Sequence, residues 1–472
     1  MTTADPTPAS AAPGTTVPEA TPAPKPATAS GDAATPSAVA VHDNDAITPH
    51  PGRGAQRGRA RFSIRTFSSL RDPGYRWFFI SLFSHFASMN MQMFIRGYLV
   101  FELTGSYAAL GVMSLANGVP QMGFSLFGGV IADRVAQKKY VVQLGQALAA
   151  VNAGVIGLLI LGGSLRVEHL VIAALVQGVS NSLLMPSRQA LTNEVVGGER
   201  LMNALALNNA AQNFARLMLP TAAGVLFALV NDGGGVGGAE YVYFLMTALY
   251  IVAVLAMARV PRSAPRPAIA TPWRAVFREL GEGIDYIRRT PAVRRVLIVN
   301  FLVVMCSMPY FQMLPGFVSD VLDGGPSALG ALMSVQGIGS LAGSLVIASL
   351  PPRNRGRLLL ISALVLGVGL VLFSWSTWIL VTAPILLIVG VGQAGRMSLS
   401  QVLVQTYTDD AHRGRVLSVY QIEMGLVQFG TFFVALLASV IGAQLAIGGT
   451  AIALLAIATY LLLFVPSFRD ME

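Results

Sequence analysis

Long apolar runs, separated by short polar or charged segments, dominate the chain from Trp77 to Val465. Each run is long enough for a helix that crosses a bilayer, which takes about 20 residues. Prolines and glycines inside the runs are compatible with this, because neighbouring membrane helices satisfy the backbone groups that they free. The pattern predicts an all-α membrane protein with twelve transmembrane helices, at residues 77–101, 107–131, 140–162, 167–188, 203–230, 241–258, 296–317, 327–350, 358–376, 379–403, 416–441 and 446–465.

The twelve predicted helices form two sets of six, joined by residues 259–295. This linker begins with a proline-rich stretch and continues with large apolar residues at helical spacing, which is typical of an amphipathic helix on a membrane surface. These residues are Trp273, Val276, Phe277, Leu280, Ile284 and Ile287. We therefore predict an N-terminal bundle at residues 71–258, a linker, and a C-terminal bundle at residues 296–472.

The two predicted bundles share a weak internal repeat. The second helix of each contains Ala-Leu-Gly, in "SYAALGVMSLANG" from Ser106 and in "GPSALGALMSVQG" from Gly325. Paired repeats of six helices are typical of transporters, in which the substrate site lies between the halves near the middle of the membrane. Chance similarity between apolar helices is the alternative.

Residues 1–70 differ from the rest of the chain. They are rich in Ala, Pro and Thr and have few large apolar residues, so they cannot offset the entropy of ordering their backbone. We predict a disordered cytoplasmic tail, and a start codon read too far upstream is the alternative. The end of this segment is basic and contains Phe62, Ile64 and Phe67. Such a segment is drawn to anionic lipid by about 1 kcal/mol per cation near the surface.

Composition supports a membrane protein, and charge predicts its orientation. The chain is 54% hydrophobic and 12% charged, whereas soluble domains carry about 25% charged residues. Basic residues are concentrated in alternate predicted loops, at Arg134 to Lys139, 259–295, Arg353 to Arg357 and Arg413 to Arg415. The positive-inside rule then predicts that both termini are cytoplasmic, and we expect the chain in the plasma (inner) membrane. Because the basic charge follows the topology, we expect membrane lipid as a partner and no nucleic acid.

The sequence offers no recognisable catalytic or metal-binding motif. It contains no Walker A motif, no nucleophile elbow and no HExxH. Its one cysteine, Cys306, lies in an apolar run. We therefore expect a protein that is not an enzyme and that needs no metal and no cofactor.

The segment "GGVIADRVAQKK", from Gly128 to Lys139, follows the second predicted helix. It resembles motif A of the major facilitator superfamily, although Ala136 and Gln137 stand where Gly and Arg are common. Three further stretches, at 186–207, 279–289 and 409–420, are similar to the branch that includes enterobactin exporters and macrolide-efflux proteins. The likeness runs from about Leu70 to Pro466.

The resemblance implies two pseudo-symmetric six-helix bundles that rock against each other, so that the substrate site opens to each side of the membrane in turn, usually driven by exchange with protons. We expect a monomer. It also implies a gating role for the residues that match motif A, which are Gly129, Asp133, Arg134, Lys138 and Lys139. Asp133 would lie against the start of the eleventh helix, near Arg415. A carboxylate beside a helix N-terminus is favourable by about 0.3–1 kcal/mol. A purely topogenic role of these charges is the alternative.

The fifth predicted helix matches its family motif only in part. Family antiporters have a glycine-rich motif there, whereas this chain has "LPTAAG", which keeps Pro220 and Gly224. We predict a bend at these two residues. The incomplete motif weakens the inference of antiport.

Charged side chains inside the predicted helices need a partner or a purpose, because an arginine at the centre of a membrane helix costs about 2.5–3.5 kcal/mol on insertion scales. Arg396 and Glu423 lie on the tenth and eleventh helices. These helices form an antiparallel hairpin, which places the two side chains at similar depth. We predict that they pair and that Glu423 is the proton-coupling residue. A static structural ion pair is the alternative.

Other interior polar residues are candidates to line the substrate cavity, because the resemblance places their helices around it or their helix is polar on several sides. These residues are Asn90, Gln92, Arg96, Gln177, Asn181, Arg216 and Gln393. For each amide, hydrogen bonding between helices is the alternative. Arg96 has two alternatives, which are pairing with Glu102 and extension to the membrane surface. For Arg216, the alternative is a hydrogen bond between the two halves.

These features predict a secondary active transporter that exports a small organic molecule, such as a siderophore, a macrolide or another drug, in exchange for protons. The interior arginines slightly favour an anionic or neutral substrate. An importer or facilitator of the same fold is one alternative. A membrane scaffold or sensor that transports nothing is the other, although the repeats and the interior charges argue against it.

Overall fold

The structure is a computed structural model that describes residues 69–134, 137–196, 201–231, 235–262, 273–351, 353–409, 412–420 and 423–471. The predicted tail up to residue 68 and the proline-rich part of the linker, 263–272, lie outside the described residues. The described part of the chain is helical and contains no strand. Its helices are α1 (Pro73–Thr104), α2 (Tyr107–Arg134), α3 (Lys138–Leu161), α4 (Val167–Val196), α5 (Leu201–Val230), α6 (Ala239–Arg259), α7 (Trp273–Arg289), α8 (Pro291–Ser307), α9 (Pro309–Asp320), α10 (Pro326–Ser349), α11 (Arg355–Trp375), α12 (Ile379–Thr406), α13 (Arg413–Tyr420), α14 (Glu423–Ile441), α15 (Ala443–Phe464) and α16 (Pro466–Arg469).

The helices follow the predicted spans. Ten of those described, with α8 and α9 taken as one, are long and apolar enough to cross a membrane. α2 and α14 occupy the positions of the second and eleventh predicted spans, and the apolar part of α14 is shorter, at Gly425–Ile441. The all-α membrane fold is confirmed, while the count of twelve spans stays a prediction.

Two helices differ from their predicted spans at prolines. α4 continues through Pro186 to Val196, past the predicted end at Arg188, because packing in a helix bundle compensates for the one hydrogen bond that a proline removes. α8 ends at Ser307 and α9 begins at Pro309. Proline has no backbone N–H and is favoured in the first turn of a helix, so it divides the seventh span into two helices.

The helices pack into two groups. We call the end of the bundle where α6 ends and α8 begins the linker end, and the opposite end the far end. In the first group α2 packs on α4, and α3 and α1 pack on α6; in the second, α10 and α11 pack on α12. Gly339 of α10 faces the backbone of Leu387, and Gly390 of α12 faces the backbone of Gln336. Small residues allow membrane helices to approach closely in this way.

The two groups of helices meet in the far-end half of the bundle. The contacting pairs include α2 with α14, α5 with α10 and α1 with α9. Gly224 of α5 lies against Gly330 of α10, where their helix backbones touch. Gly97 of α1 lies against the ring of Pro315 in α9. These glycine contacts close the far end.

A larger side chain at Gly224 should therefore open the far end. A Cβ atom added there would lie 2.8 Å from the carbonyl oxygen of Pro326, and overpacking of this kind costs about 1–3 kcal/mol. We expect Gly224→Leu to lengthen the distance between spin labels at Ser164→Cys and Thr377→Cys, which are exposed in far-end loops, in a Cys306→Ser background.

Gly123→Leu is the matched control, because a Cβ atom there meets nothing within 4 Å. An unchanged label distance in Gly224→Leu, with the protein still folded, would contradict the tight seal between α5 and α10.

Candidate functional site

One face of α5 runs from a polar stretch to the seal between the two groups of helices. Asn209, Asn213 and Arg216 lie at positions that continue, at helical spacing, into Pro220 and Gly224. The part of this face nearer the far end is sealed, because Gly330 contacts both Pro220 and Gly224. The three polar residues, which lie nearer the linker end, are exposed. Because exposed polar residues of membrane helices face a water-filled cavity, we infer that this face lines a cleft, which the contacts with α10 close toward the far end.

Pro220 and Gly224, the two predicted bend residues, lie in the contact between α5 and α10. α5 is one uninterrupted helix through Pro220, and Gly224 provides the close approach to α10. On the same seal, the Thr221 hydroxyl bonds to the Ser334 hydroxyl and to the Gly330 carbonyl. The bend at these residues stays a prediction.

A hydrogen bond across the two groups adds to the closure of the far end. The Tyr107 hydroxyl at the start of α2 donates to a carboxylate oxygen of Asp320, at the end of α9, over 3.1 Å. The Tyr107 ring packs on Phe101 at 5.0 Å between centroids. Neither Tyr107 nor Asp320 was a predicted site residue. Sequence alone does not show that a loop acid meets a tyrosine on the other half of the chain.

We expect Tyr107→Phe to weaken the closed far end without unfolding the protein. Asp320 is exposed, so the lost hydrogen bond is worth about 1 kcal/mol, which is about a five-fold change in the ratio of closed to open molecules. The same spin-label pair measures that ratio. Tyr460→Phe is the control, since Tyr460 is 59% exposed. Identical distance distributions for Tyr107→Phe and the wild type would show that the bond does not hold the gate.

The residues that match motif A lie at the linker end, between α2 and α3. Gly129, Asp133 and Arg134 belong to α2, and their side chains lie outside the described part of the structure. The Lys138 ammonium pairs with Glu194 of α4 at 2.7 Å. The Lys139 ammonium donates to the carbonyl oxygens of Ala258 and Val260. Both lysines are therefore bound within the first group of helices.

Arg415, which Asp133 is predicted to approach, forms an ion pair with another helix. Arg415, at the start of α13, pairs with Glu282 of the amphipathic helix α7 at 3.2 Å. Tyr286 of α7 stacks on His412, with ring centroids 4.3 Å apart. The linker helix is thus fixed to the second group of helices. Whether Asp133 reaches the start of α13 stays a prediction.

Arg396 and Glu423 come together as the helical hairpin predicts. The Arg396 guanidinium contacts a carboxylate oxygen of Glu423 at 3.1 Å. Asn300 of α8 joins both residues, because its amide oxygen accepts from Arg396 at 3.0 Å and its amide nitrogen donates to Glu423 at 2.8 Å. The Arg396 side chain is 3% exposed and that of Glu423 is 12% exposed. The acid is therefore the partner that is more open to water.

Asn300 was not among the predicted site residues. The sequence indicates a special role for Asn300 only through its position, as a single amide in the apolar stretch "VLIVNFLVV". Helical spacing within α8 places Asn300 on a buried face, but the sequence does not show which other helix that face meets.

The other predicted cavity residues occupy different surroundings. Gln177 donates to the Asn181 side chain at 3.0 Å, Gln92 is 4% exposed, and the Asn90 amide donates to the Phe86 carbonyl in its own helix. Gln393 donates to the sulfur of Met308 at 3.5 Å. Of these residues, Asn90, Asn181 and Gln393 are only partly buried. Their contact with a substrate stays a prediction.

Arg96 lies inside the first group of helices. One of its guanidinium nitrogens, Nη1, is buried without a hydrogen-bond partner, and no described ion pair joins Arg96 to Glu102, which is exposed. It is within electrostatic reach of Tyr243 and Tyr250 of α6. The pairing with Glu102 that the sequence suggested is therefore absent from the described residues.

The fold, the polar cleft and the sealed far end define a membrane transporter of the major facilitator type. A bacterial homologue of the human lysosomal transporter Spinster, solved in an inward-facing and unoccupied conformation, has this fold, with a TM-score of 0.66 at 14% identity over 84% of this chain and 98% of that chain. The nucleoside transporter NupG has it too, with a TM-score of 0.66 at 12% identity over 82% of this chain and 97% of that chain.

The chain belongs to the transmembrane secretion effector family, whose family model matches residues 64–472. Among its relatives, the staphyloferrin A transporter of Staphylococcus aureus is 21% identical over 78% of this chain and 90% of that protein. The macrolide efflux protein A of Streptococcus pyogenes is 24% identical over 60% and 67%, respectively. The enterobactin exporter EntS of Escherichia coli O1:K1 / APEC is 25% identical over 73% and 80%. The predicted family and branch are confirmed, and the chain is a transporter rather than an enzyme.

Proposed function

We propose that this transporter exports a small organic molecule, such as a siderophore or a macrolide, in exchange for protons. It does so by alternating access, in which the cleft opens first at the linker end and then at the far end. Two relatives, the enterobactin exporter and the macrolide efflux protein, support export. The staphyloferrin A transporter supports transport of a siderophore. The linker end is cytoplasmic in this proposal, because the basic loops of the chain lie there.

The observation that carries proton exchange is the cluster of Arg396, Asn300 and Glu423. A proton on Glu423 removes its attraction to Arg396, which leaves a buried cation unpaired and is costly. Protonation and the arrangement of α8, α12 and α14 are therefore linked. Because Glu423 is the more exposed partner, water in the cleft can deliver the proton to it.

Gating by the motif A segment belongs to the same proposal. When the cleft closes at the linker end, Asp133 of α2 approaches the start of α13, where Arg415 is held by Glu282. The flanking Lys138 and Lys139 keep α3 attached to α4 and to the end of α6. The substrate contacts in this proposal are the exposed polar residues of α5 and the amides of α4 and α12.

The test uses the purified monomer in proteoliposomes with an acidic interior. Antiport then drives an external substrate inward as protons leave. Enterobactin, staphyloferrin A, erythromycin and ethidium are tested in parallel with empty liposomes. Accumulation of at least one of them, abolished when the gradient is collapsed, supports proton-coupled export. Accumulation only under the reversed gradient would identify symport and import, and equilibration without accumulation would identify a facilitator.

A further inference from the structure

The first group of helices holds a buried arginine that the sequence did not single out. Arg188 of α4 is 7% exposed, and its guanidinium carbon lies 4.2 Å from the ring centre of Phe86 in α1. Its Nη2 donates to the sulfur of Met185 at 3.1 Å, a weak acceptor. Its Nη1 is buried with no hydrogen-bond partner. No described carboxylate forms an ion pair with it.

The second group of helices shows how this chain neutralises an interior arginine. Arg396 is buried to a similar degree, yet its guanidinium has a carboxylate and an amide oxygen as partners. A buried cation without a counter-ion costs several kcal/mol. Arg188 lacks such a partner, so its burial has a physical explanation if an anion binds there during the transport cycle.

The surroundings of Arg188 suit the polar end of an organic molecule. The Nδ1 atom of His85 and the hydroxyl of Tyr250 are both buried without partners, and their rings lie 5.5 Å apart. His85 is also within electrostatic reach of Arg188. Tyr250 is within electrostatic reach of Arg96, whose Nη1 is also buried without a partner. Four unpartnered polar groups from α1, α4 and α6 therefore form a chain of neighbours, in which His85 links Arg188 to Tyr250.

The same face of α4 leads toward the predicted cavity residues. Gln177, Asn181 and Arg188 fall within about 40° of one another around the helix, and the Gln177 carbonyl oxygen is also unpartnered. Apolar walls with a few convergent polar groups are the usual composition of small-molecule sites. Phe86 and Met185 supply such walls beside the guanidinium.

We propose that Arg188, with His85 and Tyr250, binds the carboxylate of an organic acid, so that the transported molecules are carboxylates with an apolar or polyfunctional body. This inference rests on the proposed transport function and narrows its substrate class. Arg188 holds the charge, Tyr250 donates a hydrogen bond, and Phe86 packs on the body of the ligand.

The test is equilibrium binding to the full-length protein in nanodiscs, measured by thermal unfolding at constant pH, ionic strength and chloride concentration. The probes are benzoate and citrate, with benzamide as the uncharged match to benzoate. The variants are Arg188→Gln and Arg188→Lys, with Arg76→Gln as the control because Arg76 is exposed on α1. A separate chloride titration distinguishes an organic carboxylate from a small inorganic anion.

We expect at least one carboxylate to raise the melting temperature saturably in the wild type and in Arg76→Gln. Arg188→Gln should need at least ten-fold more of the same probe, with Arg188→Lys in between, and benzamide should have no effect. Without ligand, Arg188→Gln should melt no lower than the wild type, because it removes an uncompensated buried charge. A structural arginine would behave in the opposite way.

Equal carboxylate responses in the wild type and Arg188→Gln would overturn the proposal. So would no saturable carboxylate response in the wild type, a benzamide response equal to that of benzoate, or saturation by chloride alone. A lower melting temperature of ligand-free Arg188→Gln would assign the residue to packing. Because binding is measured without a gradient, these results stand apart from the proteoliposome assay, where failure to accumulate any substrate would count against the transport proposal alone.

Discussion

Glu423→Gln should abolish accumulation driven by a pH gradient while leaving the protein folded. For exchange of one proton per neutral substrate, each pH unit supplies about 1.4 kcal/mol, which is a ten-fold accumulation. Glutamine has the shape of protonated glutamate, and it can still bond to Asn300, which lies 2.8 Å from the acid in the wild type. The variant should therefore exchange substrate for substrate at an appreciable rate, but its accumulation ratio should fall to about one.

The control for this experiment is Glu102→Gln, which removes an exposed carboxylate from α1 and should keep full accumulation. A second variant, Glu423→Gln combined with Arg396→Gln, removes both charges and avoids an unpaired buried cation. It should also exchange without accumulating. Wild-type accumulation by Glu423→Gln would make the cluster a static ion pair, and loss of exchange in both variants would assign it to structure.

The fold was predictable because its signal is local to each segment. A run of apolar residues long enough for a bilayer predicts a helix whatever its neighbours are. The linker helix was predictable in the same way, since its apolar spacing matches α7 at Trp273–Arg289. The end of α4 was not predictable, because Pro186 and Arg188 are both typical of a helix boundary. α4 nevertheless continues through both residues to Val196.

That one misplaced helix end explains why Arg188 was missed. A residue at the end of a predicted span is expected at the membrane surface, where a cation costs little. The continued helix moves Arg188 inside, beside Phe86. The pair of Arg396 and Glu423 was predictable, by contrast, because two adjacent helices joined by a short loop fix the relative depth of their residues.

Contacts between residues far apart in the sequence were the least predictable part of the site. Tyr107 and Asp320 lie 213 positions apart, and Asn300 reaches Glu423 across 123 positions. No local pattern indicates such partners. The sequence shows where the 48 glycines of the chain lie. It does not show which of them contact another helix.

Close backbone contacts within the second group lead to the other large expected effect. The backbones of α10 and α12 approach at two reciprocal positions. A Cβ atom on Gly339 would overlap the carbonyl oxygen of Leu387, and one on Gly390 would overlap the carbonyl oxygen of Gln336. Because a backbone oxygen cannot rotate away as a side chain can, the helices would have to separate. Their separation would also displace Arg396, which lies on α12 six residues beyond Gly390.

Gly390→Leu should therefore prevent assembly of the second group of helices. Overpacking costs about 1–3 kcal/mol where side chains can yield, and a clash with backbone costs more, against a total stability of about 5–15 kcal/mol. We expect the yield of monodisperse protein in size-exclusion chromatography to fall at least ten-fold, with Gly390→Ala in between. Gly449→Leu should match the wild type, because a Cβ atom on Gly449 in α15 meets nothing within 4 Å. A Gly390→Leu variant with wild-type yield and melting temperature would mean that α10 and α12 do not pack this closely in the membrane, which would also undermine the placement of Arg396 beside Glu423.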